Sequence, residues 1–212
     1  MTNQANSYSQ TVNGMLNKLK MLKAVTGNIA NATTAGYKRE IPESVDFKSV
    51  LNDVTLRDQS QGPLRKTGNQ LDIAIEGNAY ILVESADGPM PTRNGKLSFN
   101  DKGLLVTHDG REIIIVEKTD KPISLSKQYD LRINENGEIF AGGERYGRIA
   151  MKIMDNKPVK LHQGFIEGSN INLMSEMVAL SLTFRSFEAS EKSLGMEMSV
   201  DKDLIEKYGR NV

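Results

Sequence analysis

Cysteine is absent from this sequence, and so is tryptophan. Without thiols, the chain can form no disulfide, thiol nucleophile or thiolate metal site. An excess of either charge is lacking too, since 27 Lys and Arg balance 27 Asp and Glu. No global basic field is available to gather nucleic acid or anionic lipid. No apolar run approaches the roughly 18 residues that a membrane span needs. Met1-Thr2-Asn3-Gln4 and the residues after it lack a positive region ahead of an apolar core. No Sec signal peptide is expected from that pattern, and an exported chain would need another route. Histidine is scarce, and both His108 and His162 sit in Gly-closed segments that read as solvated turns. No spacing suits zinc, and neither a Walker loop nor a dinucleotide fingerprint is present. Asp72 and Glu76 share one strand face and read as a polar outer surface. Asn31-Ala32-Thr33 fits a glycosylation sequon, which carries no weight without a secretory route. No catalytic, cofactor-binding or metal-binding residue is assigned, and the chain reads as a non-enzyme.

What is present belongs to a folded protein. Apolar residues make up 38% and charged residues 25% of 212 positions, enough for one or two modest domains. From Tyr8 to Ile29 the residues Tyr8, Val12, Met15, Leu19, Leu22, Thr26 and Ile29 recur in alternating steps of four and three. That spacing marks one face of a helix. Lys18, Lys20 and Lys23 lie off the stripe and read as a solvated face and as partners of an acidic carboxy-terminal helix. Gly36 is placed to adopt a positive φ where the helix ends. At the other end Leu173, Met177, Leu180, Phe184, Phe187, Leu194 and Met198 repeat the stepping, with Ser169 or Asn170 as the expected N-cap. The methionines Met174, Met177, Met196 and Met198 read as core, including core completed by a neighbouring copy in a polymer.

Between the helices the pattern changes to period two. Leu71 to Glu76 and Tyr129 to Ile133 alternate, while Tyr80 to Val83 and Ile113 to Val116 are short apolar runs. Asp87-Gly88, Asn94-Gly95, Asp109-Gly110 and Asn136-Gly137 punctuate the region as hairpin-type turns. The predicted fold class is α+β: a discontinuous, coiled-coil-like helical domain from both termini, with an antiparallel β domain inserted. The expected boundaries are 1–36 with 168–212 for the helices, 37–62 for an extended connector arm, and 63–167 for the β domain. Residues 1–40 carry a net charge of +4 and residues 167–212 a net −3. Exposed pairs contribute only about 0–1 kcal/mol each, so the apolar stripes must supply most of the association energy.

Three stretches resemble the flagellar rod and hook proteins. Asn28-Ile-Ala-Asn31-Ala-Thr-Thr34-Ala-Gly36-Tyr37-Lys38 is similar to their amino-terminal signature. Gly68-Asn69-Gln-Leu71-Asp72-Ile-Ala-Ile-Glu-Gly77, then Thr92-Arg93-Asn-Gly95 and Gly103-Leu-Leu-Val106-Thr107, resemble their first β domain. Gly164-Phe-Ile-Glu167-Gly-Ser169-Asn170-Ile-Asn-Leu173-x-x-Glu176-Met177 resembles the approach to their carboxy-terminal helix. One departure stands at Met90-Pro91, where the family has an aromatic before Thr-Arg. The chain is also shorter than typical members, which implies a β domain lacking a loop or strand.

The resemblance implies a structural subunit of the basal-body rod in the periplasm, without a cofactor or membrane span. Its partners would be further copies of itself and other rod proteins. Short length favours the rod over the hook, and the Leu180 to Leu194 stretch favours the proximal-rod branch, with the distal rod or a hook-type subunit as alternatives. Assembly would use Val12, Met15, Leu19, Leu22, Ile29, Leu173, Met177, Leu180, Phe184 and Phe187. It also implies transient contact with the flagellar type III export apparatus, for which Phe47 and Leu51 form the candidate gate motif. Two readings from other classes are a cell-wall-processing enzyme and a non-polymerising periplasmic adaptor. The first needs paired carboxylates or a metal site, and the second would not need the three stretches.

Overall fold

Helix-forming and strand-forming patterns segregate along the chain, and they segregate in space as well. The structure, a computed structural model, describes residues 2–41, 56–118 and 130–209. It divides into two units, one of residues 1–30, 40–58 and 171–212 and the other of residues 31–39 and 59–170. Of the segment expected to be a connector, the described residues 40–41 and 56–58 group with the helices, and 37–39 and 59–62 with the strands.

The helical unit contains α1 (Thr2–Ala30) and α2 (Leu173–Gly209), with β1 (Glu40–Ile41) paired antiparallel to β2 (Leu56–Arg57). Asn172 caps α2 by accepting the Ser175 N–H at 3.1 Å, satisfying one of the free donors of the first turn. The expected caps do other work. Asn170 Oδ1, in the β unit, accepts the Arg39 N–H, and its Nδ2 donates to Ser60.

The helices run antiparallel, since Asn28 reaches Glu176 while Lys18 Nζ donates to the Ser186 carbonyl and the Ser190 hydroxyl. Lys18 therefore sits in the seam and not on the solvated face expected for it. The more buried row of α2 is Glu176, Leu180, Thr183, Phe187, Ser190, Leu194 and Glu197, again in steps of four and three. Its polar members fall seven residues apart, so a search for apolar periodicity selects a neighbouring row instead. On α1 the more buried row is Tyr8, Thr11, Met15, Lys18, Leu22, Val25 and Ile29. Val12 and Leu19 are exposed, one position away from the seam.

The β unit has β3 (Leu64–Lys66), β4 (Ile73–Glu76), β5 (Ala79–Val83), β6 (Met90–Thr92), β7 (Leu97–Phe99), β8 (Leu105–Thr107) and β9 (Ile115–Val116). After them come β10 (Leu131–Ile133), β11 (Glu138–Ala141), β12 (Glu144–Ile149), β13 (Met151–Ile153), β14 (Lys160–Gln163) and β15 (Phe165–Glu167). Neighbouring strands pair antiparallel, and three pairs are nested: β3 with β15, β4 with β14, and β5 with β13. Ile73, Ile75, Ile81, Leu131, Ile139, Ile149 and Leu161 are fully buried in one core.

Pro91 is accommodated because β6 is the edge of the sheet β13-β5-β6, where a residue without an N–H is tolerated. Asn94-Gly95 departs from the expected turn chemistry. Gly95 has no positive φ, and a Cβ there would overlap the Ile73 carbonyl, so close backbone approach explains the glycine. Asp72 is buried while Glu76 is exposed, against the reading of a shared polar face. His162 lies in β14 and contacts Glu76 at 2.6 Å, so it is a strand residue with a partner.

Candidate functional site

In the first three turns of α2, residues 173–184, Glu176 is the single charged residue. That carboxylate is buried in the seam, whereas Leu173, Met174, Met177, Val178, Leu182 and Phe184 are 45–72% exposed. Met196 and Met198 further along are exposed as well, so the methionine stripe is not core within the chain. On α1, Val12, Leu19 and Met21 add exposed apolar surface. A contiguous outward apolar face of this kind marks an interaction surface. Covering one such Leu, Met or Phe fully is worth about 1.5–3 kcal/mol. Of the residues expected to form assembly stripes, Val12, Leu19, Leu173, Met177 and Phe184 point outward, while Met15, Leu22, Ile29, Leu180 and Phe187 are half-buried.

Within the helical unit, Asn28 organises a polar clasp. Its Oδ1 accepts the Glu40 N–H at 2.8 Å, and its Nδ2 donates to the Glu40 carbonyl at 2.9 Å and to Glu176 Oε2 at 3.2 Å. One amide thus fixes the base of the β1–β2 ribbon and the register of α2 against α1. An amide suits the position because it offers two donors and an acceptor from one plane.

The β unit holds a second constellation, a buried charge node. Glu167 Oε1 accepts from Lys38 Nζ at 2.8 Å and from the Gly62 N–H at 2.9 Å. Its Oε2 accepts from Arg93 Nε at 2.7 Å. The three charged side chains are at most 4% exposed. Arg93 spends its other donors on the carbonyls of Ile75, Gly77 and Ala79. Gly36, with φ 68°, donates its N–H to the Glu167 carbonyl, and a Cβ there would overlap the Arg93 backbone. The positive φ expected at Gly36 is present, six residues beyond the end of α1.

The node explains part of the amino-terminal motif in physical terms. Asn31 and Thr34 bond to each other in the turn after α1, at 3.1 Å between side-chain oxygens. Tyr37 is half-buried, its N–H bonded to the Thr34 carbonyl. Phe47 and Leu51 lie outside the described residues. Arg93, Glu167 and Glu176 were not selected as site residues by sequence reasoning. For Glu167 and Glu176 a signal was available, since each is a lone charged residue in an otherwise uncharged stretch, whereas Arg93 stands among polar neighbours with Lys96 close by. Among the described residues, no group of three His, Asp or Glu side chains could hold a metal ion. No described helix is long and apolar enough to cross a membrane.

A helix pair with an exposed apolar face, with an antiparallel β unit inserted between its helices in the sequence, is the class of protein that the fold defines. Comparison with known proteins gives that class a family. The model of the flagellar hook protein FlgE/F/G D1 domain matches residues 74–141. That of the flagellar basal body rod FlgEFG protein C-terminal matches residues 162–205. The flagellar basal-body rod protein FlgF of Caulobacter vibrioides is 27% identical, over 89% of this chain and 92% of its own length. FlgF of Rhizobium meliloti is 29% identical, over 80% of this chain and 83% of its own. The rod protein FlgG of Bacillus subtilis is 22% identical, over 92% of this chain and 96% of its own. The chain belongs to the flagellar rod and hook axial protein family.

Proposed function

We propose that this chain is a structural subunit of the proximal part of the flagellar basal-body rod, working by polymerisation and catalysing no reaction. The observation that carries the reading is the outward apolar face of α2, Leu173 to Phe184, in a chain whose relatives include FlgF rod proteins. Buried on assembly, that face supplies a hydrophobic contact that an isolated subunit cannot make. In this reading the two terminal helices form the inner wall of a hollow shaft. The partners are further copies of the chain and other rod proteins. Export proceeds through the flagellar type III apparatus, with Phe47 and Leu51 as the gate motif. Phe47→Ala then lowers secretion while leaving the melting of the β unit unchanged.

The distal rod is the second reading, favoured by FlgG relatives that match across most of the chain. The deciding experiment is complementation of a strain lacking this subunit with Leu182→Asp, expressed at wild-type level. Leu182 is 61% exposed, so the charge harms only a contact made on assembly. The expected result is a folded, secreted subunit that is absent from purified basal bodies, in non-motile cells. Normal motility and incorporation would overturn the assignment of this face.

A further inference from the structure

The topology of the β unit makes its first strands depend on its last ones. β3, β4 and β5 pair with β15, β14 and β13, so Leu64 faces Glu167 across about a hundred residues of chain. Leu161 of β14 is fully buried beside the isoleucines of β4. The charge node follows the same order. Lys38 and Arg93 come from the early part of the chain, and the carboxylate joining them, Glu167, stands at the end of the last strand. A β unit closed without Glu167 would bury two cations with that carboxylate missing, which low-dielectric surroundings strongly oppose. Arg93 extends the dependence inward, because it also holds the carbonyls of Ile75, Gly77 and Ala79 on β4, the following turn and β5.

We propose that Glu167 is a closing latch: the first strands of the β unit cannot settle until the segment 160–167 arrives and brings the carboxylate that pairs with both Lys38 and Arg93. A chain delivered amino terminus first, whether from the ribosome or through a narrow channel, then stays open until all but its last 45 or so residues have appeared. The hairpins β7–β8 and β10–β11–β12 pair locally and are free of this constraint. The inference stands apart from the rod assignment, because it uses only contacts within one unit.

Pulse-labelled hydrogen exchange during refolding of the full-length protein tests it. Amides of 73–83 and of 160–167 should gain protection in a single step, after those of β10–β12. Protection of 73–83 before 160–167 would overturn the latch. Glu167→Gln should slow that step at least about tenfold and lower the melting temperature by about 10–20 °C. Lys38→Met alone should do much less, since Arg93 keeps its carboxylate. Adding Lys38→Met to Glu167→Gln should recover part of the lost rate by removing one of the two cations that the carboxylate served. Equal effects of the two single variants, or no recovery in the pair, would also refute the proposal. If Glu167→Gln does not fold, the labelling order in the wild-type chain still decides.

Discussion

Asn28 and Glu176 meet across the two terminal helices, amide to carboxylate at 3.2 Å, with both side chains at most 1% exposed. Polar pairs in a helix seam add little net stability but specify register, because any slip leaves a buried group without its partner. Glu176, Thr183, Ser190 and Glu197 recur at sevens along the same seam, so the inner face of α2 alternates these polar residues with Leu180, Phe187 and Leu194, while its outer face over residues 173–184 is apolar. That arrangement fits a subunit with further apolar contacts to form on assembly.

Asn28→Asp tests the clasp with almost no change of shape. It replaces the donor facing Glu176 and the Glu40 carbonyl with an acceptor, setting oxygen against oxygen. A local loss of about 2–3 kcal/mol is expected in the helical unit. Hydrogen exchange on the full chain should show faster exchange of α1 and α2, with the β unit unmoved. Unchanged helix protection would show that the clasp is incidental.

Two glycines separate close approach from backbone conformation. Gly95→Ala forces a methyl into the Ile73 carbonyl, so the strands must part. Gly88→Ala meets open space and suffers only its φ of 105°. Gly88→Ala should cost about 1–2 kcal/mol and Gly95→Ala distinctly more, read from urea midpoints at constant slope. The reverse order would contradict the packing described around Ile73.

On α2, neighbouring leucines should fail in different ways. Leu180 is half-buried in the seam, so Leu180→Asp should loosen the helix pair within a single subunit as well as block assembly. Leu182→Asp should leave the monomer's thermal melt within about 0.5 kcal/mol of wild type and block assembly alone. Asn136→Asp, in an exposed turn of the β unit, should leave motility intact. Calorimetry of the purified variants beside swimming assays separates the three.

Acid should weaken the β unit through Glu117. The Arg145 guanidinium bonded to it, with the charges of Arg148 and Arg145 nearby, holds its carboxyl below the usual carboxylate range. A carboxyl depressed by folding contributes stability that is full above its unfolded value and fades as pH falls through the folded one. Glu117→Gln should therefore lower the urea midpoint at neutral pH, and the gap to wild type should shrink below the ordinary carboxylate range. A gap that widens in acid would reverse the assignment.

The sequence by itself determined the order helix, β unit, helix, because periodicities of 3.6 and 2 are local properties of the chain. Leu71 to Glu76, Ile113 to Val116 and Tyr129 to Ile133 each contain a strand of the structure, and Tyr80 to Val83 lies within β5, which begins one residue earlier. Motif order was also legible, and with it the family. Tertiary structure alone decided which helix face turns inward. Glu176, Thr183, Ser190 and Lys18 occupy a seam that a hydrophobicity pattern assigns to their neighbours, because a polar side chain is stable there only once a specific partner faces it. The same reason hid the node of Lys38, Arg93 and Glu167. Its members lie 55 and 74 positions apart, and only the nested pairing of first strands with last brings two cations onto one buried carboxylate.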